Sequence, residues 1–252
     1  IMANLYGYND YNGPLSTGKL HSKTVYPEEG DSDVDEDHDP LRVGMWMEGD
    51  SLAPPCGTSI PTIHRLLEFA SISATDVLYD LGCGDGRICL EALVCGCGVQ
   101  CCVGVDIESD LIERFQFLID EMPESYTRCT ITKRKRISAI HADLRGVLNH
   151  LVARFDRTSQ CNPEIDDVMK ELPNPTVLVL YLLPESIREL EPALLKLLSH
   201  VEKLRIICNT WGLNFPKPAK VFHVSEPNSG ATSKFLLYDN SVLDNQSISN
   251  AN

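Results

Sequence analysis

Asp80-Leu81-Gly82-Cys83-Gly84-Asp85-Gly86-Arg87 decides the reading of this chain. Three glycines at alternate positions follow a short apolar run, Val77-Leu78-Tyr79, and precede a helical pattern from Ile88 to Val94. Glycine adopts left-handed backbone without a Cβ penalty and lets a ligand approach the main chain, so this stretch is read as a sharp strand-to-helix turn facing a ligand. The dinucleotide fingerprint G-x-G-x-x-G would need its last glycine at position 87, which is Arg87.

Working outward toward the C-terminus, a second strand, Cys101 to Val105, ends in Asp106. That carboxylate lies 24 residues after Gly82, near the separation expected for a group that accepts from both ribose hydroxyls. A third strand, Ile137 to Ala142, ends in Asp143, placed to accept from an adenine amino group. Taken singly, a glycine loop is often only a tight turn, and an acidic strand end only a helix N-cap. Together, three such ends in order within one βαβαβ unit point to a nucleoside held at the carboxyl edge of a parallel sheet.

The remaining apolar pattern extends this grammar. Ile63, Leu66, Leu67 and Ala70 recur at helical spacing, with Thr58 or Ser59 as the N-cap. Leu111, Ile112, Phe115, Leu118, Ile119 and Met122 share one helix face that Pro123 ends. Val177 to Leu182 is a continuous apolar run of the kind found in a central parallel strand. Helices at Val147 to Phe155 and Ile187 to Leu198, a strand at Leu204 to Cys208, and strands at Lys220 to Val224 and Phe235 to Tyr238 complete an α/β chain with a terminal hairpin. Residues 124–136 and 156–175 read as long polar connections. Residues 1–44 are acidic and poor in periodic apolar residues, and are expected to be a disordered arm; 45–243 form the folded domain and 244–252 a disordered tail.

The net charge is −14, and eight acidic residues between Glu28 and Asp39 supply much of it. Surplus negative charge repels phosphate backbones, so nucleic acid is not the expected partner, whereas a basic protein would be steered in. Lys133-Arg134-Lys135-Arg136 opposes this trend and is read as a solvated loop. The ten cysteines are read as reduced thiols. Cys95, Cys97, Cys101 and Cys102 lack paired C-x-x-C arms, so no metal is expected there, and small buried side chains around a strand are. No apolar run reaches about eighteen residues, so no integral membrane segment is expected. No targeting address is visible, which favours the cytoplasm; the chain opens Ile1-Met2, so upstream residues can be missing and a mitochondrial location stays open.

With D-L-G-C-G-D-G-R, G-V-D-I and H-A-D-L quoted, the chain resembles class I S-adenosylmethionine-dependent methyltransferases. The resemblance implies a seven-stranded Rossmann-like fold, with a mostly parallel sheet and a C-terminal antiparallel hairpin. Gly57-Thr58, Tyr181-Leu182-Leu183-Pro184, Leu204-Arg205-Ile206-Ile207, Trp211 and Pro218 resemble a narrower group: the protein-lysine methyltransferases that act on the ATP synthase c subunit and the adenine nucleotide translocase. This likeness runs from about residue 54 to 240. Cys208-Asn209 departs from a common Ser-His pair, and the apolar membrane-associating segment of that group is not seen ahead of the domain.

The cofactor implied is S-adenosyl-L-methionine, and the acceptor a protein lysine. The resemblance places Asp80 near the methionine ammonium and Thr58 near its carboxylate. Gly82, Cys83 and Gly84 form the turn, with Asp106-Ile107 and Asp143-Leu144 along the nucleoside. Tyr181, Glu185 and Trp211 are the candidate catalytic residues lining the acceptor side, Trp211 as an aromatic wall for a cation. Each also has a plain structural reading: Tyr181 as a core aromatic, Glu185 as a partner of the helix dipole, and Trp211 as packing. A small-molecule methyltransferase and a catalytically silent cofactor-binding module are the alternatives.

Overall fold

A computed structural model describes residues 57–95, 98–129, 135–156, 163–225 and 232–243, with the backbone alone at 163, 164 and 166. The acidic arm, the C-terminal tail, Cys97, Lys133 and Arg134 lie outside the described residues. Helix α1 (Ile60–Phe69) opens at Ser59, whose hydroxyl accepts from the Thr62 N–H; of the two candidate caps, Ser59 is the one used. Then follow β1 (Val77–Leu81), α2 (Arg87–Val94), β2 (Cys101–Asp106), α3 (Ser109–Glu121), a short α4 (Glu124–Thr127), β3 (Ile137–His141) and α5 (Leu144–Ala153). The chain continues through α6 (Pro163–Met169), β4 (Val177–Leu180), α7 (Pro184–His200), β5 (Arg205–Asn209), β6 (Lys220–Ser225) and β7 (Thr232–Tyr238).

The strands form one sheet in the order β3-β2-β1-β4-β5-β7-β6. The first five are parallel; β7 is antiparallel to β5, and β6 to β7. This is the seven-stranded Rossmann-like order with an antiparallel hairpin that the resemblance implied. The apolar run at Val177 takes the middle place. Its side chains are buried throughout because helices cover both faces.

Alternation along β1 assigns those faces. Val77, Tyr79 and Leu81 join a core with Leu148 and Leu151 of α5 and Leu190 and Leu194 of α7. Leu78 joins the opposite core with Leu66 of α1, Ile88 of α2 and Phe115 of α3. Asp80 shares the parity of Leu78, so it enters the face covered by α1, α2 and α3. Register sets Asp80 beside Gly104 of β2 and Val179 of β4.

Three details differ from the sequence reading. The long polar connections each hold a short helix, α4 and α6; in α6 the apolar Ile165 and Met169 recur four residues apart behind Pro163, which suits a first helical position. Arg136 is not part of a solvated loop: it donates to the carbonyls of Tyr126 (3.3 Å), Gly98 (3.2 Å) and Val99 (2.5 Å) and closes the approach to β3. Cys101 and Cys102 are buried on β2 as expected, but Cys95 is exposed where α2 ends. Among the described residues no helix is long and apolar enough to cross a membrane.

Candidate functional site

The carboxyl ends of β1 to β5 meet at one edge of the sheet, and the chain reverses its order between β1 and β4, which is where doubly wound sheets take ligands. The residues singled out in the sequence fall at this edge. Asp80 is the penultimate residue of β1, Asp106 the last of β2, and Asp143 two residues past β3. Tyr181 follows β4 directly, and Trp211 stands two residues past β5.

The turn after β1 is shaped by left-handed backbone at Gly82 (φ 85°), Gly84 (56°) and Gly86 (75°). At Gly86 a Cβ would stand 2.1 Å from the Phe115 ring, so α2 packs against α3 only without one. At Gly84 nothing lies within 4 Å of an added Cβ, so the main chain faces open space where a ligand can approach. Gly82 and Cys83 donate their N–H groups to the Val105 carbonyl (2.9 and 3.0 Å), which fastens the turn to the end of β2.

Asp106 takes an N–H on each oxygen: Gly84 on Oδ2 at 2.7 Å and Glu108 on Oδ1 at 3.0 Å. A carboxylate has about four acceptor sites, so each oxygen keeps a lone pair for a vicinal diol. Asp80 is different. Its side chain is buried, and Oδ2 has no hydrogen-bond partner among the described residues. Burial first, then the negative charges of Asp106 and Asp85, weaken it as an acid and push its pKa up to about 8. A buried, unpartnered carboxylate oxygen costs free energy that a cationic donor such as an ammonium relieves.

Thr58 is buried at the start of α1, and its carbonyl accepts from Arg87 Nη1 at 3.2 Å. Asp143 serves as the N-cap of α5: Oδ1 accepts from the Arg145 N–H at 2.8 Å and Oδ2 from its guanidinium at 3.1 Å. Arg145 reaches on to Glu189 of α7 at 2.6 Å. Ile107 is half-buried and its carbonyl accepts from His141 at 2.8 Å, while Leu144 is buried.

Beyond the carboxyl ends of β4 and β5 the rings of Tyr181 and Trp211 come together, with centroids 6.5 Å apart and planes 23° from parallel. Trp211 is 39% exposed. Thr210 before it has φ 68°, an outlier for a β-branched residue, and its N–H is held by the Lys234 carbonyl at 2.7 Å. Glu185 is exposed on the first turn of α7, where its charge complements the helix dipole.

The sequence reading gave no role to Asp85 or Arg87, which the structure joins by a two-pronged ion pair beside the turn. Their spacing in the quoted motif was visible; the third partner, Thr58, was not. Among the described residues no three His, Cys, Asp or Glu side chains are arranged to hold a metal.

Taken together, the sheet order and the carboxylates along its edge define a doubly wound α/β protein with a Rossmann-like sheet and an antiparallel C-terminal hairpin. No protein-family model matches the chain. It is similar to a curated protein-lysine N-methyltransferase of Saccharolobus islandicus (strain REY15A), 42% identical over 59 residues, which are 23% of this chain and 36% of that protein. The chain thus spans about a third of the length of that relative. Among solved structures it is similar to an RNA methyltransferase from Salinibacter ruber in complex with S-adenosyl-L-homocysteine, with TM-score 0.49 and 23% identity over 73% of this chain and 94% of that one. A likeness with TM-score 0.44 and 15% identity joins it to the C-terminal domain of a precorrin-6Y C5,15-methyltransferase from Rhodobacter capsulatus, over 74% of this chain and 92% of that one.

Proposed function

We propose that this chain is an S-adenosyl-L-methionine-dependent N-methyltransferase whose acceptor is a protein lysine. The observation that carries the reading is the pair of carboxylates flanking the glycine turn: Asp80, with a buried oxygen lacking a partner, and Asp106, with one lone pair left on each oxygen. The first suits an ammonium and the second a ribose diol, and few small molecules present both groups. Bound S-adenosyl-L-methionine supplies a methyl group on a positively charged sulfur, an electrophilic carbon with a good leaving group.

The protein's own part is to bind, align and exclude water. Asp80 holds the amino-acid end, with Thr58 beside it. Gly82, Cys83 and Gly84 offer backbone, Asp106 takes the ribose hydroxyls, and Ile107 and Leu144 line the base. Asp143 receives the adenine amino group on lone pairs that Arg145 leaves open. Across the edge, Tyr181 and Trp211 offer ring faces to a long amine-bearing side chain. A lysine attacks only as the free amine, so this wall has to hold the side chain while the proton leaves to solvent or to a neighbouring acceptor such as Glu185. The partial likeness to a protein-lysine N-methyltransferase supports lysine as acceptor, and the negative net charge counts against a phosphate backbone.

Calorimetry with S-adenosylhomocysteine tests the cofactor, and incubation of isotope-labelled cofactor with a cell extract tests the acceptor. A discrete protein labelled at lysine is expected, with the label lost in Asp106→Ala. Label confined to low-molecular-weight products rejects the lysine assignment in favour of a small-molecule acceptor, and binding without any transfer rejects the enzyme.

A further inference from the structure

Arg87 lies nearly inside the protein, its side chain 13% exposed against 6% for Asp85. Nε donates to Asp85 Oδ1 at 2.9 Å and Nη2 to Oδ2 at 2.8 Å, a parallel fork of the strongest kind available between side chains. Nη1 crosses to the Thr58 carbonyl at 3.2 Å, 29 residues away. The guanidinium thereby ties the turn after β1 to the segment that leads into α1. Gly57 completes the arrangement: a Cβ there would lie 2.7 Å from Nη1 and 3.0 Å from Cζ. A guanidinium end is ordinarily easy to displace, but this one makes three hydrogen bonds to described residues, so it cannot step aside without giving some of them up.

From this geometry we infer that Arg87 is a positioning residue, clasping the Gly57-Thr58 segment to the glycine turn so that the two form one wall for the amino-acid end of the cofactor. The inference rests on the cofactor reading above and adds to it a division of labour within the site. Asp106, fastened separately by Gly84 and Glu108, governs the nucleoside end. The clasp governs the other end, where Asp80 and Thr58 stand.

A ligand pair separates the two ends: S-adenosylhomocysteine carries the amino-acid tail, and 5′-methylthioadenosine has the same nucleoside and sulfur without it. Arg87→Lys keeps a positive charge beside Asp85 but loses the planar fork and its reach to Thr58. Calorimetry should show S-adenosylhomocysteine binding weakened by about ten-fold or more, the scale of losing a charge-assisted hydrogen bond, with 5′-methylthioadenosine binding within about two-fold of wild type. Gly57→Ala presses on the same guanidinium, most closely at Nη1, and leaves Asp85 its charged partner, so it gives an independent reading if the lysine variant folds poorly. It should produce the same split between ligands.

Equal weakening of both ligands would mean general loosening and overturns the inference. So does undiminished binding of S-adenosylhomocysteine in both variants. A wild-type protein that binds neither ligand refutes the cofactor reading itself, an outcome distinct from either of these.

Discussion

Lowering the pH from 8 to 6 should weaken binding of S-adenosylhomocysteine by about fifty-fold. Asp80 has its ionisation pushed up to about 8 by burial and by the neighbouring charges of Asp106 and Asp85. About half of the ligand-free molecules then carry the carboxylate at pH 8 and about one in a hundred at pH 6, and only the charged form is matched to an ammonium. The apparent dissociation constant therefore rises about five-fold from pH 8 to 7 and about ten-fold for each unit below that, and levels off above pH 8. The sign for folding runs the same way. An acid that is weaker when folded than its ordinary 3.8 holds its proton longer in the native state, so the empty protein loses stability as the pH climbs from about 4 toward 8. The stabilising increment from the ligand should grow through that interval. Isothermal titration calorimetry from pH 6 to 8.5, with melting curves in parallel, measures both effects, and Asp80→Asn serves as the control that should bind weakly at every pH. A flat affinity profile in the wild type, or an equal slope in Asp80→Asn, would refute the assignment of the ammonium to Asp80.

Other perturbations address the frame around the site. Asp106→Ala removes the acceptor of the Gly84 and Glu108 N–H groups and should abolish measurable cofactor binding, at least about a hundred-fold, while circular dichroism stays that of a folded protein. Gly86→Ala combines left-handed strain with a methyl 2.1 Å from the Phe115 ring and should cost about 2–5 kcal/mol in urea unfolding; a loss under about 1 kcal/mol contradicts the packing described. At the opposite edge of the sheet, burial weakens Asp76 as an acid, but donors from Arg205, Thr176 and Ser73 outweigh it and hold the carboxyl below its ordinary range. Its contribution to stability is present above about pH 4 and lost as the pH falls through the lowered value. Arg205→Met should cost about 2–3 kcal/mol, less than a wholly buried pair because the arginine side chain stays 20% exposed, and should move the acid-unfolding midpoint upward; an unmoved midpoint counts against the ion pair as its source.

Much of this fold is legible in the chain because its parallel strands are short and largely apolar, and three of them run into Asp80, Asp106 and Asp143. Val177 to Leu180 is apolar without alternation and proves to be covered on both faces; Leu111 to Met122 carries a clear helical stripe stopped by Pro123. Asp80 and Asp106 were legible as a pair because their spacing reflects one βαβ unit. The short helices α4 and α6 were not, since four and seven residues barely sample a helical period. Arg136 and Arg87 escaped for another reason. A run of basic residues looks solvated until the carbonyls of Tyr126, Gly98 and Val99 are seen around Arg136, and the partner that gives Arg87 its reach sits 29 positions away. The meeting of Tyr181 with Trp211 depends on β4 and β5 lying side by side, a fact of topology that local pattern does not encode.

The place of β1 inside the sheet governs the order of events in biosynthesis. One flank of that strand is β2, which follows it within about twenty-five residues; the other is β4, whose pairing joins Leu78 to Val177 across 99 positions. Such distant partners are slow to find one another, because a long loop must close before any contact rewards it. On the ribosome, the glycine turn emerges early and then waits, one side bare, until the segment past Leu180 has left the exit tunnel. A nascent chain halted before that point has the whole signature motif and no second neighbour to press it into shape.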